Sequence, residues 1–188
     1  MSGGSGADPV RAPERIETQR LLLRRPRLDD AEAIFARYAS DAEVTRLLSF
    51  PTHRSIADTR RFLEWSEAEW TRWPAGPYLV ESRESGTLLG STGFAFETPQ
   101  RAATGYVFAR DAWGRGYASE TLRQVVATAR GCGVQRLYAL CHPEHRASFR
   151  VLEKCGFERE GTLRRYAELP NLSPGEPVDL LCYSIVLA

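Results

Sequence analysis

Residues 105–122 read Gly-Tyr-Val-Phe-Ala-Arg-Asp-Ala-Trp-Gly-Arg-Gly-Tyr-Ala-Ser-Glu-Thr-Leu, and they constrain the fold more than any other stretch. Tyr106, Val107 and Phe108 favour an extended, half-buried backbone. The pattern breaks at Arg110 and Asp111, and Gly114 and Gly116 follow. Beyond them Ala118, Leu122, Val125, Val126 and Ala129 recur at helical spacing and predict one apolar helix face. A strand, a glycine loop and a helix in that order leave the first helical amides without partners inside the helix. The same order aims the positive end of the helix dipole at the loop. Two glycines let a ligand approach the backbone. The product is an anion site, for which a phosphate is the usual occupant.

Gly-x-Gly alone is a weak signal. A dinucleotide loop requires a third glycine where this chain has Ser119. Gly86-Thr-Leu-Leu-Gly90-Ser-Thr is one residue short of a phosphate-binding Walker loop and lacks its lysine, so it reads as a hairpin turn running into a strand. A nucleotide-binding enzyme is therefore a rival reading with two residues against it.

The segment Trp113-Gly-Arg-Gly-Tyr-Ala-Ser-Glu120 resembles the acetyl-CoA loop of the GNAT-superfamily N-acetyltransferases, in particular the RimJ/RimL branch, whose loop often runs Trp-Gly-Lys-Gly-Tyr-Ala-x-Glu. Thr18-Gln-Arg-Leu-Leu-Leu-Arg24 is similar to that branch's opening strand. Ala147-Ser-Phe-Arg-Val-Leu-Glu-Lys-Cys-Gly-Phe157 is similar to its closing helix and Gly-Phe turn. The resemblance spans roughly residues 15 to 187 in the right order. It implies an α/β (α+β) GNAT fold: a mixed, mostly antiparallel sheet of six to seven strands, helices on both faces and two splayed central parallel strands. It also implies acetyl-CoA as cosubstrate, with no metal. The expected contacts are Phe108, Ala109, Arg110, Trp113, Gly114, Arg115, Gly116, Tyr117, Ala118 and Ser119, joined by His145 and Ser148. The implied acceptor is a protein N-terminus or a small-molecule amine, and a non-catalytic acyl-CoA sensor of the same fold is the alternative.

The rest of the chain fits one domain. Residues 1–14 are expected to be a disordered N-terminal segment, Ser/Gly-rich up to Pro9, and residues 15–188 a single domain. A net charge of +1 gives no field for nucleic acid or membrane. No apolar run nears the roughly 20 residues needed to span a bilayer, and no signal-peptide core appears, so a cytoplasmic monomer or homodimer is expected. Cys132, Cys141, Cys155 and Cys182 are scattered and read as reduced thiols. Strands are predicted over 16–24, 78–82, 88–97, 104–109, 136–141, 157–166 and 177–187. Helices are predicted over 28–38, 55–73, 119–130 and 146–155, with a short piece over 41–48. The tryptophans of the second helix either pack on the sheet or wall the acceptor pocket.

Acetyl transfer to an amine needs a base, because an alkylammonium of pKa about 10 is no nucleophile. It also needs a donor for the developing oxyanion, which a backbone N–H near Val107–Ala109 can supply, and help for the leaving thiolate. The tyrosine that many superfamily members carry on the later helix is matched by Leu152, which cannot donate. The branch's serine is matched by Ser148, which is expected to hydrogen-bond the sulfur. His145 stands where an asparagine is usual. The branch's glutamate is matched by Ala103, so Glu97 is the nearest substitute as base, with Glu81 or a water chain as alternatives. His53 and His142 carry no motif.

Overall fold

The computed structural model, which describes residues 10–187, builds one sheet from eight strands. They are β1 (Arg15–Glu17), β2 (Leu21–Arg24), β3 (Pro77–Ser82), β4 (Leu88–Thr98), β5 (Arg101–Phe108), β6 (Arg136–Cys141), β7 (Glu158–Glu168) and β8 (Pro177–Val186). Their order across the sheet is β1-β2-β3-β4-β5-β6-β8-β7, and every neighbouring pair is antiparallel except β5 and β6. The sheet has one strand more than expected because residues 16–24 are two strands. The chain turns at Thr18–Arg20, where Thr18 N–H donates to Leu21 O at 2.9 Å and Leu21 N–H donates to Thr18 Oγ1 at 2.9 Å.

Helices cover both faces. α1 (Ala31–Ile34) passes into a π-helical turn over Phe35–Ala39, and α2 (Ala42–Thr45) follows. α3 (Ile56–Arg72) starts where the Asp58 carboxylate accepts the amides of Arg54 and Ser55, each at 2.9 Å. α4 (Tyr117–Gly131) and α5 (Arg146–Lys154) complete the set. The alternation of β3 shows the two faces. Tyr78 and Val80 join Leu122 and Val125 of α4 and Leu152 of α5 in the larger core cluster. Leu79 joins Ala31 and Ile34 of α1 in the smaller one. Trp70 is buried, donating Nε1–H to Pro77 O at 2.8 Å, and Trp73 stacks on Phe96.

Two boundaries move. Residues 1–9 of the expected disordered start lie outside the described residues. Ala12 and Pro13 are tied down instead: Ala12 is buried and its amide donates to Pro74 O at 2.7 Å, while Pro13 O accepts the Tyr78 hydroxyl at 2.9 Å. A segment that satisfies core groups in this way belongs to the folded unit. α4 begins at Tyr117 rather than Ser119 because Gly116, at φ +79°, already makes the turn into the helix.

The parallel pair matters most for function. β5 and β6 pair only at Arg101–Arg136, Ala102–Leu137 and Ala103–Tyr138. Beyond that point each strand keeps its outer partner, β5 with β4 and β6 with β8, and the two part from each other. The sheet therefore opens as a V at its centre.

Candidate active site

A cavity of about 790 Å³ is bounded by the parted strands on one side and the α1–α3 segment on the other. Thr104–Val107 of β5, Tyr138–Cys141 of β6 and Ser148 of α5 line it, as do Tyr38, Phe50, His53, Phe62 and Trp65 from the N-terminal half. Trp65 is thus the tryptophan of α3 that walls a pocket, while Trp70 and Trp73 serve the core.

The backbone of β5 supplies donors to the V. Ala109 N–H donates to Leu89 O at 2.8 Å, and the β4–β5 register runs without a shift from Gly90–Phe108 to Phe96–Ala102. Hydrogen-bonded and non-bonded pairs alternate in an antiparallel ladder. The odd-numbered residues of β5 therefore bond β4, and the amides of Tyr106 and Phe108 face the gap that β6 has left. Of the expected donors over 107–109, Phe108 has the right direction. Ala109 does not, since its amide is spent on β4.

At the end of β5 a single 3₁₀ turn, Arg110–Ala112, leads to Trp113, whose indole N–H donates to Phe108 O at 2.7 Å. Gly114 and Gly116 follow at φ +73° and +79°, a backbone region that suits glycine. Six consecutive amides, Gly114 to Ser119, have no hydrogen-bond partner among the described residues, and the first helical bond runs from Glu120 N to Gly116 O at 3.1 Å. This run, at the positive end of a 15-residue helix, forms a cradle able to accept an anion.

What holds the cradle is the β1–β2 turn, which the sequence did not reveal. Arg20 Nη1 donates to Arg115 O at 3.0 Å, and its Nε bonds Glu120 Oε2 at 2.8 Å. Its guanidinium also covers the Tyr117 ring at 4.7 Å. The Thr18 hydroxyl donates to Glu120 Oε1 at 2.6 Å. Burial pushes the Glu120 carboxyl up, but the bonds from Thr18 and Arg20 outweigh it and hold it below the usual range.

Arg110, expected among the cofactor contacts, turns elsewhere. Its guanidinium pairs with Asp41 at 2.7 Å and Glu43 at 2.6 Å, at the start of α2. Glu97, expected as a base, lies at the β4–β5 turn outside the cavity lining. It is paired with Arg101 at 2.6 Å and accepts the Tyr138 hydroxyl. Glu81 is likewise bound, to Arg24 at 2.7 Å.

Ser148 and His145 do line the cavity, and α5 begins at their level, with Ser148 N–H donating to His145 O at 2.9 Å. Ser148 has a partner that the sequence did not disclose. The Tyr106 hydroxyl reaches across the V, donates to Ser148 O at 2.8 Å and lies 3.0 Å from Ser148 Oγ. Burial drives the Tyr106 phenol above its ordinary range, so it stays protonated. Burial also lowers the His145 imidazole and keeps it neutral near pH 7. Leu152 is buried in the core. The three histidines, scattered in sequence, all line this one cavity: His53, His142 and His145. Among the described residues no group of three or more His, Cys, Asp or Glu is arranged to hold a metal, and no helix is long and apolar enough to cross a membrane.

Comparison with known proteins agrees with this geometry. Residues 20–158 match the family model described as an acetyltransferase (GNAT) domain. The uncharacterized N-acetyltransferase YoaA of Bacillus subtilis (strain 168) is 35% identical over 179 residues, covering 91% of this chain and 96% of that protein. A GNAT-family acetyltransferase from Bacillus anthracis superposes with a TM-score of 0.78 at 28% identity, covering 92% of this chain and 98% of that one. RimL, a ribosomal L7/L12 α-N-protein acetyltransferase solved in complex with coenzyme A, shares the fold with a TM-score of 0.81 at 21% identity, covering 93% and 98%.

Proposed function

The chain belongs to the GNAT acetyltransferase family, and from that premise we propose that it transfers an acetyl group from acetyl-CoA directly to a primary amine, on a protein N-terminus or a small molecule. The observation that carries this reading is the run of six unpartnered amides, Gly114 to Ser119, set beside strands that part after Ala103. A diphosphate matches the first, and a narrow pantetheine arm matches the second. Coenzyme A bound to RimL, a protein of the same fold, supports the assignment.

Acetyl-CoA supplies an activated acyl group as a thioester, and the residues of the chain do the rest. The cradle amides and the dipole of α4 hold the diphosphate. The Phe108 amide faces the gap where the thioester oxygen would lie, and a fixed donor there stabilises the charge that builds on that oxygen. The Ser148 hydroxyl, steadied by Tyr106, hydrogen-bonds the departing sulfur. His145 sits beside it as a neutral ring able to donate or accept. Phe62 and Trp65 give the acceptor side an apolar wall. Direct attack by the amine needs no covalent enzyme intermediate, so the four free cysteines have no part in it.

Free-thiol release from acetyl-CoA, measured with a panel of primary amines and N-terminal peptides, tests the proposal. Acceptor-dependent release that drops at least about tenfold in Ser148→Ala, with coenzyme A affinity retained, is the expected result. No acceptor-dependent release with any amine would reject it.

A further inference from the structure

The site as described lacks a base. The position where the resemblance implies a glutamate holds Ala103, and Glu97 and Glu81 are held in ion pairs elsewhere. Asp58 is the only carboxylate lining the cavity among the described residues, and it is fully used: it accepts the amides of Arg54 and Ser55 and pairs with Arg61. We infer that His53 is the general base, taking the proton from the acceptor ammonium through its Nε2. This rests on the transferase reading above.

Three observations place it. His53 lines the cavity from the α2–α3 connection, and Tyr106 and Val107 of β5 and Ser148 of α5 line the same cavity. Its amide donates to Ala39 O at 2.9 Å, and Tyr38 and Ala39 belong to the apolar cluster that also holds Ala109, against which Val107 of β5 packs. Its Nδ1 lies 2.9 Å from the hydroxyl of Thr59, which is fully buried in α3, and the ring packs against Phe50. Nε2 makes no hydrogen bond among the described residues. With the hydrogen on Nδ1 and donated to Thr59 Oγ1, Nε2 keeps its lone pair free. The same Thr59 oxygen then stabilises the imidazolium that forms, as a carboxylate or carbonyl does behind other catalytic histidines.

Burial first, then the Arg61 charge, lowers the His53 ring, and Asp58 opposes them, so the ring is neutral near pH 7. The other titratable groups lining the cavity among the described residues are Tyr38, Tyr106 on β5, Tyr138 and Cys141 on β6, His142 and His145 on the α5 side and Tyr166 on β7. None of these is a carboxylate.

The proton balance is complete. One N–H bond of the ammonium breaks and its proton passes to His53 Nε2, freeing the nitrogen lone pair. The C–N bond forms as the C–S bond breaks, the second proton of the nitrogen goes to the sulfur, and His53 returns its proton to solvent.

The test is the pH profile of kcat/KM for one active amine, in the wild type, His53→Gln and Thr59→Val. Wild type should hold a plateau from its acid limb up to the pKa of the amine. His53→Gln should fall about 100-fold near pH 7 and then rise about tenfold per pH unit, because only free amine reacts. Its KM for acetyl-CoA should stay within about twofold of wild type. Thr59→Val should lose activity less severely and move the acid limb. An active wild type with an unchanged profile in His53→Gln overturns the role of His53 and leaves the transferase reading intact. A wild type silent with every amine overturns the transferase reading itself. Should His53→Gln fail to bind coenzyme A, the Thr59→Val profile decides: an acid limb that does not move overturns the inference.

Discussion

Gly116 illustrates how much one residue can carry. At φ +79° it is the last residue before α4, and its carbonyl accepts the first helical bond. A Cβ there meets only Arg20 Nη2, at 3.6 Å, which is an ordinary contact. The effect of Gly116→Ala is therefore conformational: alanine in the left-handed region costs about 1 kcal/mol or more. The expected outcome is a thermal midpoint lower by about 2–4 °C, together with weaker binding of coenzyme A, since relaxing the turn redirects the amides of the cradle. Isothermal titration of the variant with coenzyme A checks the second part. The half-buried histidines make a separate prediction about pH. His53 and His145 are both lowered by burial, so below about pH 6.5 the unfolded chain binds protons that the folded one refuses. Stability is insensitive to these groups above that pH and falls as pH drops through it. Melting curves between pH 7.5 and 5 should show this decline, and it should be shallower in His145→Gln.

At the scale of elements, the strand–loop–helix unit over 105–122 was legible because two periodicities meet at a pair of glycines. The V was legible only through resemblance, since no local pattern says that β5 and β6 stop pairing after Ala103. That depends on β4 and β8 keeping hold of the outer edges. The β1–β2 hairpin was missed because Thr18–Arg20 carries no glycine, proline or asparagine turn signal, and the turn closes instead on the Thr18 side chain. Missing the hairpin hid its purpose. Arg20 and Thr18 grip Glu120 and Arg115 about a hundred residues away, a coupling no sequence spacing encodes. Arg20→Ala should raise the KM for acetyl-CoA about three- to tenfold, the loss of one or two charge-assisted bonds that are partly exposed, while kcat stays within about twofold. Steady-state kinetics with acetyl-CoA varied at saturating amine separates the two. The depressed Glu120 carboxyl sets the sign with pH: its contribution is present above the ordinary carboxylate range and is lost on acidification, so the advantage of the wild type over Arg20→Ala should shrink toward pH 4.

Across the whole molecule, the cavity is closed by parts of the chain far apart in sequence, and Asn171 joins them. It lies in the connection between β7 and β8, yet its Nδ2 donates to Thr45 O and Phe50 O, both at 2.8 Å. Its Oδ1 accepts the amide of Thr52 at 2.8 Å and the Thr52 hydroxyl at 3.1 Å. One amide side chain thus uses two donors and one doubly bonded acceptor to pin the segment that carries Phe50 and His53 over the cavity. No other side chain of that size offers both polarities. Removing it strands two carbonyls and an amide, at about 1–3 kcal/mol for each group that water does not reach. For Asn171→Ala this predicts a midpoint lower by about 3–8 °C. It also predicts faster hydrogen exchange over residues 46–53, and a KM for the acceptor that rises while the KM for acetyl-CoA does not. Asn171→Asp should fare no better, because its carboxylate keeps the bond to Thr52 but faces the carbonyls of Thr45 and Phe50 with no hydrogen to give. If both variants raise the KM for acetyl-CoA as much as that for the amine, Asn171 supports the sheet as a whole and not the acceptor wall in particular.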